Sequence, residues 1–140
     1  MGAPGPFLAG LLSRRGASCA LRNRRTGSIL ATRVVPALDS ATRRTGLLQH
    51  TSLPDGDAMV IAPTSAVHTF WMKFPIDIVF VARDGRVLKV RPAVPAWRMT
   101  GALGAFAVIE MGAGALTRCE VVRGDTLEVI PQPELATHAP

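Results

Sequence analysis

Tyrosine is absent from the 140-residue chain, lysine and cysteine occur twice each, and aromatic residues make up 5% of the total. So few rings, with no lysine-rich tract beside them, give poor material for a base-stacking nucleic-acid platform. The cysteines, Cys19 and Cys119, stand a hundred positions apart with no CxxC pair, so zinc-ligand spacing is missing. Two free thiols in a reducing compartment is the better reading than a disulfide between the chain ends. There is no Gly-rich phosphate loop, no GxSxG elbow and no HExxH helix. No run of apolar residues is long enough to span a bilayer. Phe7 to Leu12 is a short apolar run with no preceding positive charge, and Arg14-Arg15 follow it, the reverse of a secretory signal. Cytoplasmic residence is therefore expected.

Hydrophobic residues are plentiful, at 48%, enough for one real core. The net charge of +6 is lopsided. Eight arginines and one acidic residue, Asp39, fall within residues 1–45, and the remainder is close to neutral. Fourteen of the sixteen basic residues are arginine. An Arg-rich, solvated segment explains this better than a nucleic-acid tail, and no specific nucleic-acid partner and no membrane are expected.

Residues 1–17 are Gly-, Pro- and Ala-rich without a clear period and are expected to be a disordered leader; 132–140 is expected to be a flexible tail. Between them, 18–131 is expected to form a single β-rich domain. Ala20–Arg22, Ile29–Val34, Ala58–Ala62, Val67–Met72, Ile76–Ala82, Val87–Arg91, Phe106–Met111 and Thr126–Ile130 have strand composition, punctuated by Thr26-Gly27, Pro54-Asp55-Gly56, Asp84-Gly85 and Gly124-Asp125. Helical spacing is confined to Leu38–Leu48, and Gly112–Arg118 suits one helical turn or a loop. The predicted fold is mainly β: a small antiparallel β-sandwich or partly open barrel with one or two short helices. Ile76–Ala82 is apolar on both faces except at Asp77, so it should be a central strand covered on both sides.

The distinctive stretch is His68-Thr69-Phe70-Trp71-Met72-Lys73-Phe74-Pro75-Ile76-Asp77-Ile78-Val79-Phe80, followed by Asp84-Gly85 and preceded by Arg44-Thr45-Gly46-Leu47-Leu48. Over Ala20 to Ile130 the chain resembles the bacterial and archaeal family known as domain of unknown function 192. The shared pattern is a Gly-Leu step, Phe-Trp-Met-Lys, Pro-Ile-Asp-Ile-Val-Phe and an Asp-Gly turn. The chain departs from the commoner form at the short Lys73-Phe74-Pro75 link and at Leu48, where Met is frequent. It is similar to a short-linker subgroup that carries Val-His-Thr-Phe ahead of the motif. The resemblance implies a compact, mostly β fold and no reaction.

Taken singly, the notable residues have ordinary structural readings. Trp71 suits a core corner, His68 a satisfied histidine, and Glu110 a solvated strand end or an Arg partner. Asp77 in a covered strand needs a partner; Arg98 is preferred, with Lys73 and backbone N–H groups of the Pro92–Pro95 connection as alternatives. Taken together, His68, Trp71, Asp77, Trp97, Arg98 and Glu110 form a candidate binding site for a small polar ligand or a protein. The leading expectation is a non-catalytic accessory module, with no cofactor and no metal. The alternative is a small hydrolase or lyase using His68 with Asp77 or Glu110 as general acid and base. Ser65 and Thr69 sit in no nucleophile motif.

Overall fold

A computed structural model of the chain describes residues 5–12, 19–37, 56–70 and 72–132. The predicted helix over Leu38–Leu48 and the side chain of Trp71 lie outside the described residues. The fold is mainly β, as the sequence predicts, and the strands pair into a five-stranded, a three-stranded and a two-stranded sheet.

Three Val/Ile-rich strands lie side by side. β6 (Ile76–Val81) lies between β9 (Ala107–Gly112) and β7 (Val87–Val94), and β4 (Asp57–Ile61) and β3 (Arg33–Ala37) complete the sheet in the order β3-β4-β9-β6-β7. All six residues of β6 are buried, which bears out the central, doubly covered strand. Most pairings are antiparallel; β3 beside β4 is parallel. The β6–β7 turn is set by Asp84-Gly85. Asp84 accepts a hydrogen bond from the Arg86 N–H at 2.9 Å, and Gly85 has φ +90°. A side chain at Gly85 would collide with the carbonyl oxygen of Leu127, so the position requires glycine twice over.

Strand alternation gives this sheet two apolar faces. On the first, Val60, Val79, Val81, Ile109 and Met111 pack against β1 (Cys19–Asn23), β2 (Ile29–Ala31) and β10 (Leu127–Pro131), which form the three-stranded sheet β10-β1-β2. On the second, Met59, Ile61, Ile78, Phe80 and Val108 meet Met72, Val67 and Phe74. Here β5 (Ala66–His68) and β8 (Met99–Gly101) pair as a separate ribbon. Each fully buried Val, Ile or Phe contributes about 1.5–3 kcal/mol, so both layers matter to stability.

Several expectations are corrected. The leader reading fails over α1 (Pro6–Leu12), a helix whose Phe7, Leu8 and Leu11 are buried in the first core against β10. The composition of 1–17 is tail-like, but these three residues share one helical face, and Pro6 opens the helix where a missing N–H costs nothing. Residues 1–4 and 13–17 lie outside the described residues, as do 133–140. The strand predicted over Val67–Met72 stops at His68, because Thr69 turns its hydrogen bonds to another loop. β7 runs on to Val94, and β8 was not foreseen. One helical turn does form at α2 (Ala115–Arg118), inside the predicted Gly112–Arg118.

Candidate functional site

Asp77 is completely buried on the first face of β6. Its Oδ1 accepts the Ala93 N–H at 2.8 Å, and its Oδ2 accepts the Gly114 N–H at 3.1 Å and the Leu116 N–H at 2.8 Å. The last two donors belong to the start of α2, whose first N–H groups have no partner within the helix. One carboxylate therefore ties β6 to the end of β7 and to α2. The expected Arg98 pair does not form: one guanidinium nitrogen of Arg98 donates instead to the Ala96 carbonyl at 3.3 Å. Backbone N–H donors of the Pro-rich connection, the lesser expectation, supply part of the answer through Ala93. Bonds from a carboxylate to N–H groups are charge-assisted and do not need a cation.

Glu110 projects from β9 on the opposite face, level with Met59 and Ile78 of the neighbouring strands. The solvated reading is overturned. Glu110 is buried, and among the described residues no hydrogen bond or ion pair reaches its carboxyl group. Burial away from water pushes its pKa up to about 7. Asp77 and Glu110 thus lie on different faces of one sheet, and His68 hydrogen-bonds to neither. The His68–Asp77 pair invoked for acid–base chemistry is not assembled, and the three do not gather as metal ligands.

His68, Trp97 and Arg98 do come together, on the β5–β8 ribbon. Their frame is Thr69, which is buried. Its N–H donates to the Arg98 carbonyl at 2.8 Å, and its carbonyl accepts the Trp97 N–H at 3.1 Å. Its hydroxyl donates to the Pro95 carbonyl at 2.7 Å and accepts the Arg98 N–H at 2.9 Å. On this frame three rings meet: His68 lies tilted against Phe70 with centroids 4.7 Å apart, and Phe70 stacks on Trp97 at 5.4 Å. Trp97 is 53% exposed, Met99 74%, and Leu103 is fully exposed. Trp97 also holds φ +67° and Ala93 φ +48°, left-handed conformations that cost a non-glycine residue about 1 kcal/mol or more.

Phe70, Met99 and Leu103 are the members that sequence reasoning missed. A signal was available: between Asp84 and Glu110 the chain has Arg86, Lys89, Arg91 and Arg98 and no acidic residue.

Three acidic residues elsewhere are engaged by arginines. Asp125 is gripped by Arg25 at 2.6 Å, by Asn23 at 2.9 Å and by the Val122 N–H at 3.0 Å, and the Arg25 bond chiefly holds its pKa down to about 2. Glu128 accepts from Arg22, and Asp57 from Arg33. These contacts fasten the three-stranded sheet and the β3–β4 edge of the five-stranded one. Among the described residues no helix is long and apolar enough to cross a membrane.

The profile of domain of unknown function 192, described as an uncharacterized ACR, matches residues 21–129. Two crystal structures share the fold. A protein of unknown function from Novosphingobium aromaticivorans is 25% identical, with a TM-score of 0.68, over 79% of this chain and 83% of that one. A Sinorhizobium meliloti protein described as a candidate transcription regulator is 21% identical, with a TM-score of 0.69, over 79% of this chain and 91% of that one. No curated protein matches the chain.

Proposed function

We infer that this chain, which belongs to the domain of unknown function 192 family, is a non-catalytic binding module that meets its partner through the β5–β8 ribbon. The observation that carries this reading is the grouping of Trp97, Met99 and Leu103. Among the described residues four large hydrophobic side chains are exposed, and three of them fall within these seven positions. Exposed apolar side chains are common singly, but a cluster rimmed by polar residues marks a contact surface. Trp, Met and Arg are also the residue types enriched where binding energy concentrates. The strained backbone at Trp97 points the same way, because such conformations persist where a side chain must be aimed. A cytoplasmic setting belongs to the same proposal and is supported by two buried cysteines, Cys19 and Cys119, that form no disulfide with each other.

The test is a thermal-shift screen of the full chain against metabolite and peptide sets, run in parallel on a Trp97→Asn/Met99→Ser variant. Asn tolerates the left-handed backbone, so the variant should melt within about 2 °C of the parent. Compounds that stabilise the parent should leave the variant unmoved. Hits that stabilise both equally, or no hits from either set, would count against the ribbon as the binding surface.

A further inference from the structure

The ribbon's charge and shape say what kind of partner it fits. Arg98 stands exposed between Trp97 and Met99. Leu103 also lines a shallow groove of about 550 Å³ with Leu88, Val90, Arg123 and Lys89, whose Nζ donates to the Gly101 carbonyl at 2.8 Å. Within the described sheets β7 pairs with β6 alone, so the groove follows a sheet edge. Arg98 and Lys89 have no acidic residue beside them in sequence from Gly85 to Ile109, whereas Arg123 stands between Glu120 and Asp125, the latter already gripped by Arg25. We propose that the occupant is an extended acidic segment of a partner protein. Its apolar side chains would rest on Trp97, Met99 and Leu103, and its carboxylates would face Arg98, Lys89 and Arg123. The proposal rests on the reading of the ribbon as the binding surface.

Three other occupants fit less well. A second copy of the chain would bring one basic surface against another. Among the described residues the acidic surface left to offer in return is limited to Asp84 and Glu120, since Asp57, Asp125 and Glu128 are paired to arginines and Asp77 and Glu110 are buried. Single-stranded nucleic acid needs open ring faces, whereas Phe70 is in contact with the rings of both His68 and Trp97, and Met99 and Leu103 have no π face. A small molecule is bound best in a concave pocket that covers most of its surface, and this groove is open. An acidic, apolar peptide satisfies both the charge and the hydrophobic cluster, and electrostatic complementarity would set its specificity and rate of approach.

The experiment selects a random twelve-residue peptide display library on the full chain, with counter-selection on Trp97→Asn/Met99→Ser/Leu103→Ser. Enriched peptides are expected to carry net negative charge and at least two large apolar residues. Their binding should weaken about tenfold in Arg98→Glu and fall with added salt. Enriched peptides that need the ribbon but are neutral or basic would overturn the acidic partner while leaving the module reading intact. So would labelled oligo(dT) binding that needs the ribbon, or a dimer in sedimentation that Met99→Ser dissociates. Peptides retained by the triple variant, or no enrichment over it, would overturn both.

Discussion

Replacing Asp77 by asparagine isolates the role of one carboxylate without changing its shape. The three N–H groups it accepts converge from residues 16, 37 and 39 positions away in the chain. In Asp77→Asn the amide oxygen can take over the Gly114 and Leu116 donors, but the amide NH2 then faces the Ala93 N–H, donor against donor. Two bonds lose their charge assistance, and the buried amide NH2 at position 77 is left without an acceptor. A stranded donor costs about 1–3 kcal/mol, and charge-assisted bonds are about twice as strong as neutral ones. The expected destabilisation is about 2–4 kcal/mol. For a chain of this size that corresponds to a fall in melting temperature of about 6–14 °C. Urea denaturation at neutral pH measures the free energy, and calorimetry the midpoint. Arg98→Met, whose guanidinium is exposed and far from the carboxylate's partners, should stay within about 0.5 kcal/mol of the parent and add to Asp77→Asn without coupling. An Asp77→Asn protein as stable as the parent would refute the argument, and a coupling above about 1 kcal/mol with Arg98→Met would restore the discarded ion pair.

Glu110 makes stability depend on pH. Its folded pKa of about 7 lies above its ordinary value of 4.5, so the fold prefers the neutral carboxyl. Relative stability is full below about pH 4.5, declines as pH rises towards 7, and stays lower above that, by up to about 3 kcal/mol. Glu110→Gln should abolish this decline, melting close to the parent at pH 4.5 and above it at pH 8; parallel pH profiles would contradict the assignment. Phe7→Ala should cost about 3 kcal/mol, because the ring is buried in the first core, and deletion of residues 1–12 should cost more. A truncated chain with an unchanged midpoint would mean that α1 adds nothing to the fold.

Local chemistry made much of the architecture legible. Asp84-Gly85 needs no distant partner to be a turn, because an Asx bond and a positive φ settle it. The alternation and apolar density of Ile76–Val81 sufficed to make that strand central, and the helical turn near Ala115 was readable from composition. The Phe-Trp-Met-Lys and Pro-Ile-Asp-Ile-Val-Phe motifs carried the family. α1 was within reach and was lost to composition: the spacing of Phe7, Leu8 and Leu11 is a helical stripe, but it spans only two turns.

Other features were decided by parts of the chain far apart in sequence. Nothing in the residues around Asp77 shows that Gly114 and Leu116 will donate to it, and an arginine satisfies the same local requirement. Glu110 was given a solvated strand end because its charge favours water, yet its strand lies inside the sheet and alternation turns it onto a covered face. Met99 and Leu103 are no less hydrophobic than Met59 or Leu21, which are buried. Whether such a side chain is inside depends on which sheet face receives a second layer, and the β5–β8 ribbon is itself part of the layer, with one side left to solvent. Residue type, local spacing and turn chemistry are properties of neighbours in the chain and were determined by the sequence alone. Partners for buried polar groups, and the exposure that makes a surface available for binding, depend on which distant segments pack together, and only the tertiary structure decided them.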